Sequence, residues 1–269
     1  MSKNIELLGK LPDNRPPVKA VIFDFDGTIS TLRQGWEEIM EPLMVEMITG
    51  NKPASEELVK AVRDFINEST GIQTIYQMEW LENEVRRRKL NPVVHDKWWY
   101  KDEYNRRLLD VVNARIEKLD RGELDPGDYL IKGGRELLQA LHSMKLDLYI
   151  ASGTDEKDVV NEVRVLGLLD YFTKVAGAPE RRADCSKEAV IRMLMHERGL
   201  QGAELLVIGD GKVEIRLGVE AGAITLGVAS DEIRREGVNP VKRERLIKAG
   251  ANAIVGDFTC ADEIIALLL

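Results

Sequence analysis

The most constraining feature of this chain is a change of hydrophobic period partway along it. From Leu130 onward, short apolar runs alternate with segments whose apolar residues recur every three or four positions. Leu146–Ala151, Lys174–Ala176, Leu205–Ile208, Ile224–Val228 and Ala253–Val255 read as strands. Leu137, Leu138, Leu141 and Met144 mark one helix, Val159, Val160, Val163 and Leu166 another, and Ala189–Met195 a third; a helix also follows the last strand. Strands separated by helices imply right-handed crossovers and a mostly parallel sheet covered on both faces. One strand stands apart. Val18–Asp24 is a buried run ending in a carboxylate, and it precedes about 100 residues that read as nearly all helical. In that stretch Trp36, Ile39, Met40, Leu43, Met44 and Met47 share one helical face. Ser55 can cap a helix carrying Leu58, Val59, Val62, Phe65 and Ile66. Ile75, Met78, Leu81 and Val85, then Tyr104, Leu108, Val111, Val112 and Ile116, continue the pattern, with breaks at Gly50–Pro53, Asn91-Pro92 and Gly122–Gly127. The expected fold is α/β: a Rossmann-like, doubly wound, mostly parallel sheet formed by residues 1–33 and 131–269. An all-α cap, residues 34–130, is inserted after the first strand.

Composition narrows what such a fold can serve. With 44% hydrophobic and 31% charged residues the chain reads as a soluble globular protein. No run approaches the ~20 apolar residues of a membrane span. The first residues lack the apolar core of a secretory signal, and residues 1–17 read as an extended surface arm. A net charge of −8 argues against wrapping nucleic acid, yet a local basic pocket or a metal ion can still receive a small anion. Cys185 and Cys260 lie far apart and read as thiols of a reducing cytoplasm rather than a disulfide, so a cytoplasmic location is expected. His95, His142 and His196 show no ligand-like spacing.

Four short segments fall at or just beyond the C-terminal ends of strands: Asp24-Phe25-Asp26-Gly27-Thr28, Ala151-Ser152-Gly153-Thr154, Ser186-Lys187 and Gly209-Asp210-Gly211. Open α/β sheets bind ligands at that edge, so the four should converge on one crevice. Asp24 and Asp26, two residues apart, need a cation or a retained proton to coexist. A divalent ion meets that need, with Asp210 as a third oxygen ligand, and an all-oxygen set favours Mg²⁺. A carboxylate can act as nucleophile toward phosphorus, and Lys187, the metal and backbone N–H groups can offset the charge of the transferred group. Thr28, Ser152 and Gly153 offer hydroxyl and amide donors to phosphate oxygens. Singly, each segment reads as a turn, a loop or a surface lysine. Together, in this order and strand context, they read as a site.

The set resembles the haloacid dehalogenase-like (HAD) hydrolase superfamily. Phe23-Asp24-Phe25-Asp26-Gly27-Thr28 is similar to its first motif, Ile150-Ala151-Ser152-Gly153 to the second, Lys187 to the third, and Ile208-Gly209-Asp210 through Glu214 to the fourth. The resemblance covers about residues 18–33 and 131–269. It implies that Asp24 attacks phosphorus and ligates Mg²⁺. Asp26 would protonate the leaving group, deprotonate the attacking water, and ligate Mg²⁺ through its backbone carbonyl. Ser152 and Lys187 would hold the phosphoryl group, and Asp210 would ligate the metal. Glu214 stands where many members carry Asp; its extra methylene leaves open direct metal contact, contact through water, or orientation of Lys187. A carboxylate at Asp26 resembles the phosphatase and phosphomutase branch, and the helical insert resembles that branch's cap, swinging near Thr31–Gly35 and Asp125–Gly134.

The insert itself names no substrate. Arg86-Arg87-Arg88-Lys89 reads as a solvated helix end and Trp98-Trp99-Tyr100 as packing, while Gln73 and Thr74 in the Thr70–Thr74 loop can face the site. The expected partner is a small phosphorylated metabolite, a sugar phosphate or a phosphoglycolate-like ester, hydrolysed through an aspartyl-phosphate. A phosphomutase is the alternative; a phospho-acceptor signalling module or a silent binding protein fits the intact motifs and inserted cap less well.

Overall fold

The computed structural model describes residues 4–9, 11, 14–50, 52–183 and 186–269. Cys185 lies outside the described residues, as does the side chain of Ser186. Among those described, seven strands form one sheet: β1 (Ile5–Leu7), β2 (Ala20–Phe23), β3 (Asp147–Asp155), β4 (Lys174–Ala178), β5 (Leu205–Gly209), β6 (Ile224–Val228) and β7 (Ala253–Val255). The helices are α1 (Trp36–Thr49), α2 (Glu56–Glu68), α3 (Thr74–Arg88), α4 (Lys97–Asp120), α5 (Gly134–Ser143), α6 (Glu156–Val165), α7 (Ser186–His196), α8 (Lys212–Glu220), α9 (Pro240–Ala249) and α10 (Ala261–Leu268).

The strand order is β1-β7-β6-β5-β2-β3-β4, parallel except for β1 against β7. Alternate residues of each central strand serve opposite faces. Val21, Phe23, Leu148, Ile150, Leu206 and Ile208 pack under α5, α6 and α10, while Ala20, Ile22, Tyr149, Ala151, Leu205 and Val207 pack under α7 and α8. The expected doubly wound sheet is what the chain forms.

The arm expected at residues 1–17 needs correction. Ile5–Leu7 is an edge strand, with Ile5 opposite Val255 and Leu7 opposite Ala253. Arg15 also donates from Nη2 to the Leu267 carbonyl at 2.5 Å, so this segment is tied to both the sheet and the C-terminal helix.

Helices α1 to α4 enclose a separate apolar core of Met40, Leu43, Met44, Ile48, Leu58, Val62, Met78, Leu81, Tyr100, Tyr104 and Val112. Ser55 caps α2 by accepting the Leu58 N–H at 3.2 Å. The two connections to this insert run side by side: Thr31 N–H donates to the Tyr129 carbonyl and Ile131 N–H to the Ile29 carbonyl, each at 2.9 Å. Opposite them, Lys101 pairs with Asp155, Arg181 pairs with Asp102 at 2.8 Å and lies over the Trp98 ring, and Tyr76 Oη donates to the Ala183 carbonyl at 2.5 Å. The insert therefore bridges both sides of the crevice at the carboxyl end of the sheet. Among the described residues, no helix is long and apolar enough to cross a membrane.

Candidate active site

β2 is the topological switch point of the sheet, with β3 on one side and β5 on the other. Its last residue, Phe23, is level with Ile150 and Ile208. The Asp24 N–H then donates to the Ile208 carbonyl at 2.9 Å, which carries the ladder one residue further. Three adjacent strand ends thus bring Asp24, Ser152 and Asp210 to one crevice, where such sheets bind ligands. Gly27 turns the chain at φ +74°; a Cβ there would lie 2.6 Å from Asp210 Oδ2. Lys187 enters from the first turn of α7. Asp24, Thr28, Ser152, Lys187, Asp210 and Glu214 are all buried.

Their charges are closely coupled. Lys187 Nζ lies 3.0 Å from Asp24 Oδ1 and 2.6 Å from Glu214 Oε2. Glu214 Oε1 accepts the Gly211 N–H at 2.5 Å. Burial disfavours the lysine's charge, but the Asp24 and Glu214 carboxylates outweigh it and push Lys187 above its usual range. Burial pushes Asp24 well above the carboxylate range; Lys187 opposes this, and the neighbouring Glu214, Asp210 and Asp26 add to it. Burial also works against ionised Asp210, yet Lys242 at 2.8 Å and Arg245 hold that group below the usual range. Oxygens of Asp24, Asp210 and Glu214 lie within 4.8 Å of one another. Buried carboxylates so crowded that one of them holds its proton too tightly are a donor set that a hard divalent cation suits.

Asp26 is placed differently. Its Oδ2 accepts from Thr154 Oγ1 at 2.7 Å, while its Oδ1 is buried without a hydrogen-bond partner, 3.9 Å from Arg33 Nε. Arg33 donates from Nε and Nη2 to Glu162 Oε1 at 2.9 and 2.6 Å. Burial pushes Glu162 up to about 7, with the Arg33 charge pulling the other way. Thr28 Oγ1 points at Asp210 Oδ1 from 3.4 Å.

Asp24, Asp26, Arg33, Ser152, Lys187 and Asp210 line a cavity of about 320 Å³. Its roof is the loop between α2 and α3. The Gly71 carbonyl accepts from Lys187 Nζ at 3.3 Å, and a Cβ on Gly71 would meet Gly211 Cα at 3.3 Å. A Cβ on Gly153 would meet the Ile72 carbonyl at 3.1 Å. Two glycines thus permit direct backbone contact between cap and crevice.

Of the expected site residues, Asp24, Asp26, Ser152, Gly153, Lys187 and Asp210 line this crevice, while Thr28 and Glu214 touch Asp210 and Lys187. Thr74 reaches the cavity as expected, whereas buried Gln73 is not on its wall. Arg86, Arg87 and Arg88 pair with Glu82 and Glu84 on their own helix, and Trp99 stacks on His95 away from the cavity. Sequence reasoning missed Thr154, although it sits inside the second motif. It also missed Arg33, Glu232 and Lys242, which carry no motif, and the cap-side wall of Trp36, Glu37, Asn67, Gln77 and Tyr104.

The family model of the haloacid dehalogenase-like hydrolases matches residues 18–222. The chain belongs to that family. A phosphoglycolate phosphatase of Vibrio vulnificus (strain YJ016) is 29% identical over 97 residues, 35% of this chain and 41% of that protein, so the match spans less than half the relative's length. Among solved structures, one described as a predicted phosphoglycolate phosphatase from Haemophilus somnus 129PT superposes with a TM-score of 0.63, at 16% identity, over 92% of this chain and 97% of the other. A β-phosphoglucomutase from Clostridium difficile gives 0.62, at 18% identity, over 93% and 97%. At those identities the likeness establishes a shared fold.

Proposed function

We propose that this chain is a Mg²⁺-dependent phosphatase acting on a small organic phosphate monoester through an aspartyl-phosphate. The observation that carries this reading is the buried Asp24–Lys187 pair, set among further carboxylates on the floor of a capped cavity. The names of the relatives, phosphatases and a phosphomutase, support the same chemistry.

Asp24, Asp210 and the backbone carbonyl of Asp26 would hold the metal, which supplies charge neutralisation for the phosphoryl oxygens. Glu214 is better suited to holding Lys187, because one of its oxygens is on that ammonium and the other on the Gly211 N–H. In the first half-reaction an Asp24 oxygen bonds to phosphorus as the ester oxygen leaves with a proton from Asp26. In the second, Asp26 takes a proton from water, whose oxygen attacks phosphorus and frees Asp24 and inorganic phosphate. Lys187, Ser152, Thr28 and the Gly153 N–H would bind the phosphoryl oxygens. Thr154 fixes the orientation of Asp26 and leaves its Oδ1 for the proton transfer.

Residues 1–33 and 131–269 serve in this reading as the catalytic core, and residues 34–130 as a cap that closes over the substrate. The cap-side wall carries two neutral amides, Asn67 and Gln77, beside Tyr104 and Glu37, which suits a hydroxylated leaving group such as a sugar. The test is a panel of phosphate esters assayed with and without Mg²⁺ against wild type and Asp24→Asn. Phosphate release that needs both the metal and Asp24 supports the reading, and wild-type turnover in Asp24→Asn overturns it. Accumulation of an isomeric phosphate in place of free phosphate would mark a phosphomutase.

A further inference from the structure

Asp210 has a cation of its own. Lys242 Nζ, from the first turn of α9, lies 2.8 Å from Asp210 Oδ2 and 2.7 Å from Glu232 Oε1, and it donates to Ser230 Oγ at 3.1 Å. Ser230 Oγ donates in turn to the Gly27 carbonyl at 2.7 Å, which ties the cluster to the first-motif turn. The Lys242 and Glu232 side chains are only 14% and 20% exposed. Both come from the segment after β6, beyond the four motifs and beyond residue 222, where the family match ends. A lone ammonium at this place would oppose uptake of a divalent cation by Asp210, since like charges repel strongly where water is scarce. A lone Glu232 would add a carboxylate to an already crowded set.

We propose that the Lys242–Glu232 ion pair is a charge-balancing device that sets how tightly the site takes up its divalent cation. Glu232 cancels the charge of Lys242. Lys242 can then pair with Asp210 Oδ2 without its charge opposing an ion held by Asp210. Loss of a favourable outer-shell group typically costs about 10- to 100-fold in metal affinity, which sets the scale of the effect expected at Glu232. Glu37 of α1 and Arg245 of α9 face the same cluster and stay constant in the comparison. The inference rests on the reading of Asp210 as a metal ligand.

The test is calorimetric titration of Mg²⁺ into the metal-stripped full chain, with no substrate and no turnover. Glu232→Gln leaves Lys242 unbalanced and is expected to raise the Kd by ~10-fold or more. Lys242→Met frees Asp210 and Glu232 for the ion and is expected to lower the Kd by a similar factor. The double variant, neutral at both positions, is expected within ~3-fold of wild type if the two charges cancel. General damage to the site would raise the Kd in all three, so single-variant changes of the same sign, or none, overturn the inference. Should Lys242→Met fail to fold, Glu232→Gln decides by itself: an unchanged or lower Kd overturns it. Absence of Mg²⁺ uptake by wild type would overturn the metal assignment and this inference together. Uptake by wild type with unsplit variants overturns this inference alone.

Discussion

At the scale of single residues, burial governs this site. Asp24→Asn keeps shape and removes the nucleophile; turnover is expected to fall by ~10⁴-fold or more, with the circular dichroism spectrum retained. Asp26→Asn removes the acid of the first half-reaction and the base of the second; it is expected either to leave ³²P label from substrate on the protein or to take up none, with steady turnover lost in both cases. Glu162 offers a pH signature. Its folded pKa, about 7, lies above its ordinary 4.5. The folded state therefore binds the proton more tightly than the unfolded state. The stability this adds is full below about pH 4.5 and is lost as pH rises through 7, an effect of at most ~3 kcal/mol. Its Oε2 is buried and unpartnered, a place for that proton. Urea unfolding of wild type between pH 5 and 8 is expected to show this decline, and Glu162→Gln to flatten it.

At the scale of elements, backbone contact decides what is tolerated. Gly133 starts α5 at φ +73°, and a Cβ there would overlap the backbone of Phe258. Gly133→Ala is expected to cost about 2–4 kcal/mol in chemical denaturation, against about 1 kcal/mol at Gly122, which shares the left-handed backbone (φ +69°) but faces open space. Strands and helices with a strong period were legible in the sequence: Ile224–Val228 and Ala253–Val255 were expected residue for residue. β1 was not, because three residues are too few to show a period and its partner lies about 250 residues away. Three of the motifs were legible because each needs a particular residue on or just beyond a central strand; the third, Lys187, lies in the first turn of α7 and was read from its order among the others. Lys242 was not, because within Lys242-Arg243-Glu244-Arg245 it looks like any solvated helix charge. Its role comes from a long-range meeting with Asp210, which no local pattern encodes.

At the scale of the whole molecule, the site belongs to both halves. Lys187 of the sheet half donates to Gly71 of the helical insert, and the contacts at Tyr76, Asp102 and Lys101 hold the opposite rim. The Arg181–Asp102 pair is more than half exposed, so it contributes little to folding. Asp102→Ala is expected to shift the melting temperature by less than ~2 °C. It is expected to raise KM several-fold if closure of this rim retains substrate. Mg²⁺ with orthovanadate, a phosphoryl mimic, is expected to raise the melting temperature of wild type but not of Asp24→Asn, since a ligand bound only by the folded state stabilises it.

The sheet's connectivity also has a consequence for how the chain is made. β2, its central strand, leaves the ribosome early, yet its neighbours β3 and β5 begin at Asp147 and Leu205. β1 waits longer still, for Ala253–Val255. The insert, built from contacts local in sequence, can assemble while the first strand is unpaired. During synthesis the nascent polypeptide therefore carries a finished helical module beside an orphaned hydrophobic strand, Ala20–Phe23. That interval is when chaperone capture and misassociation should concentrate, and it ends once β3 and then β5 have emerged to pair with the strand.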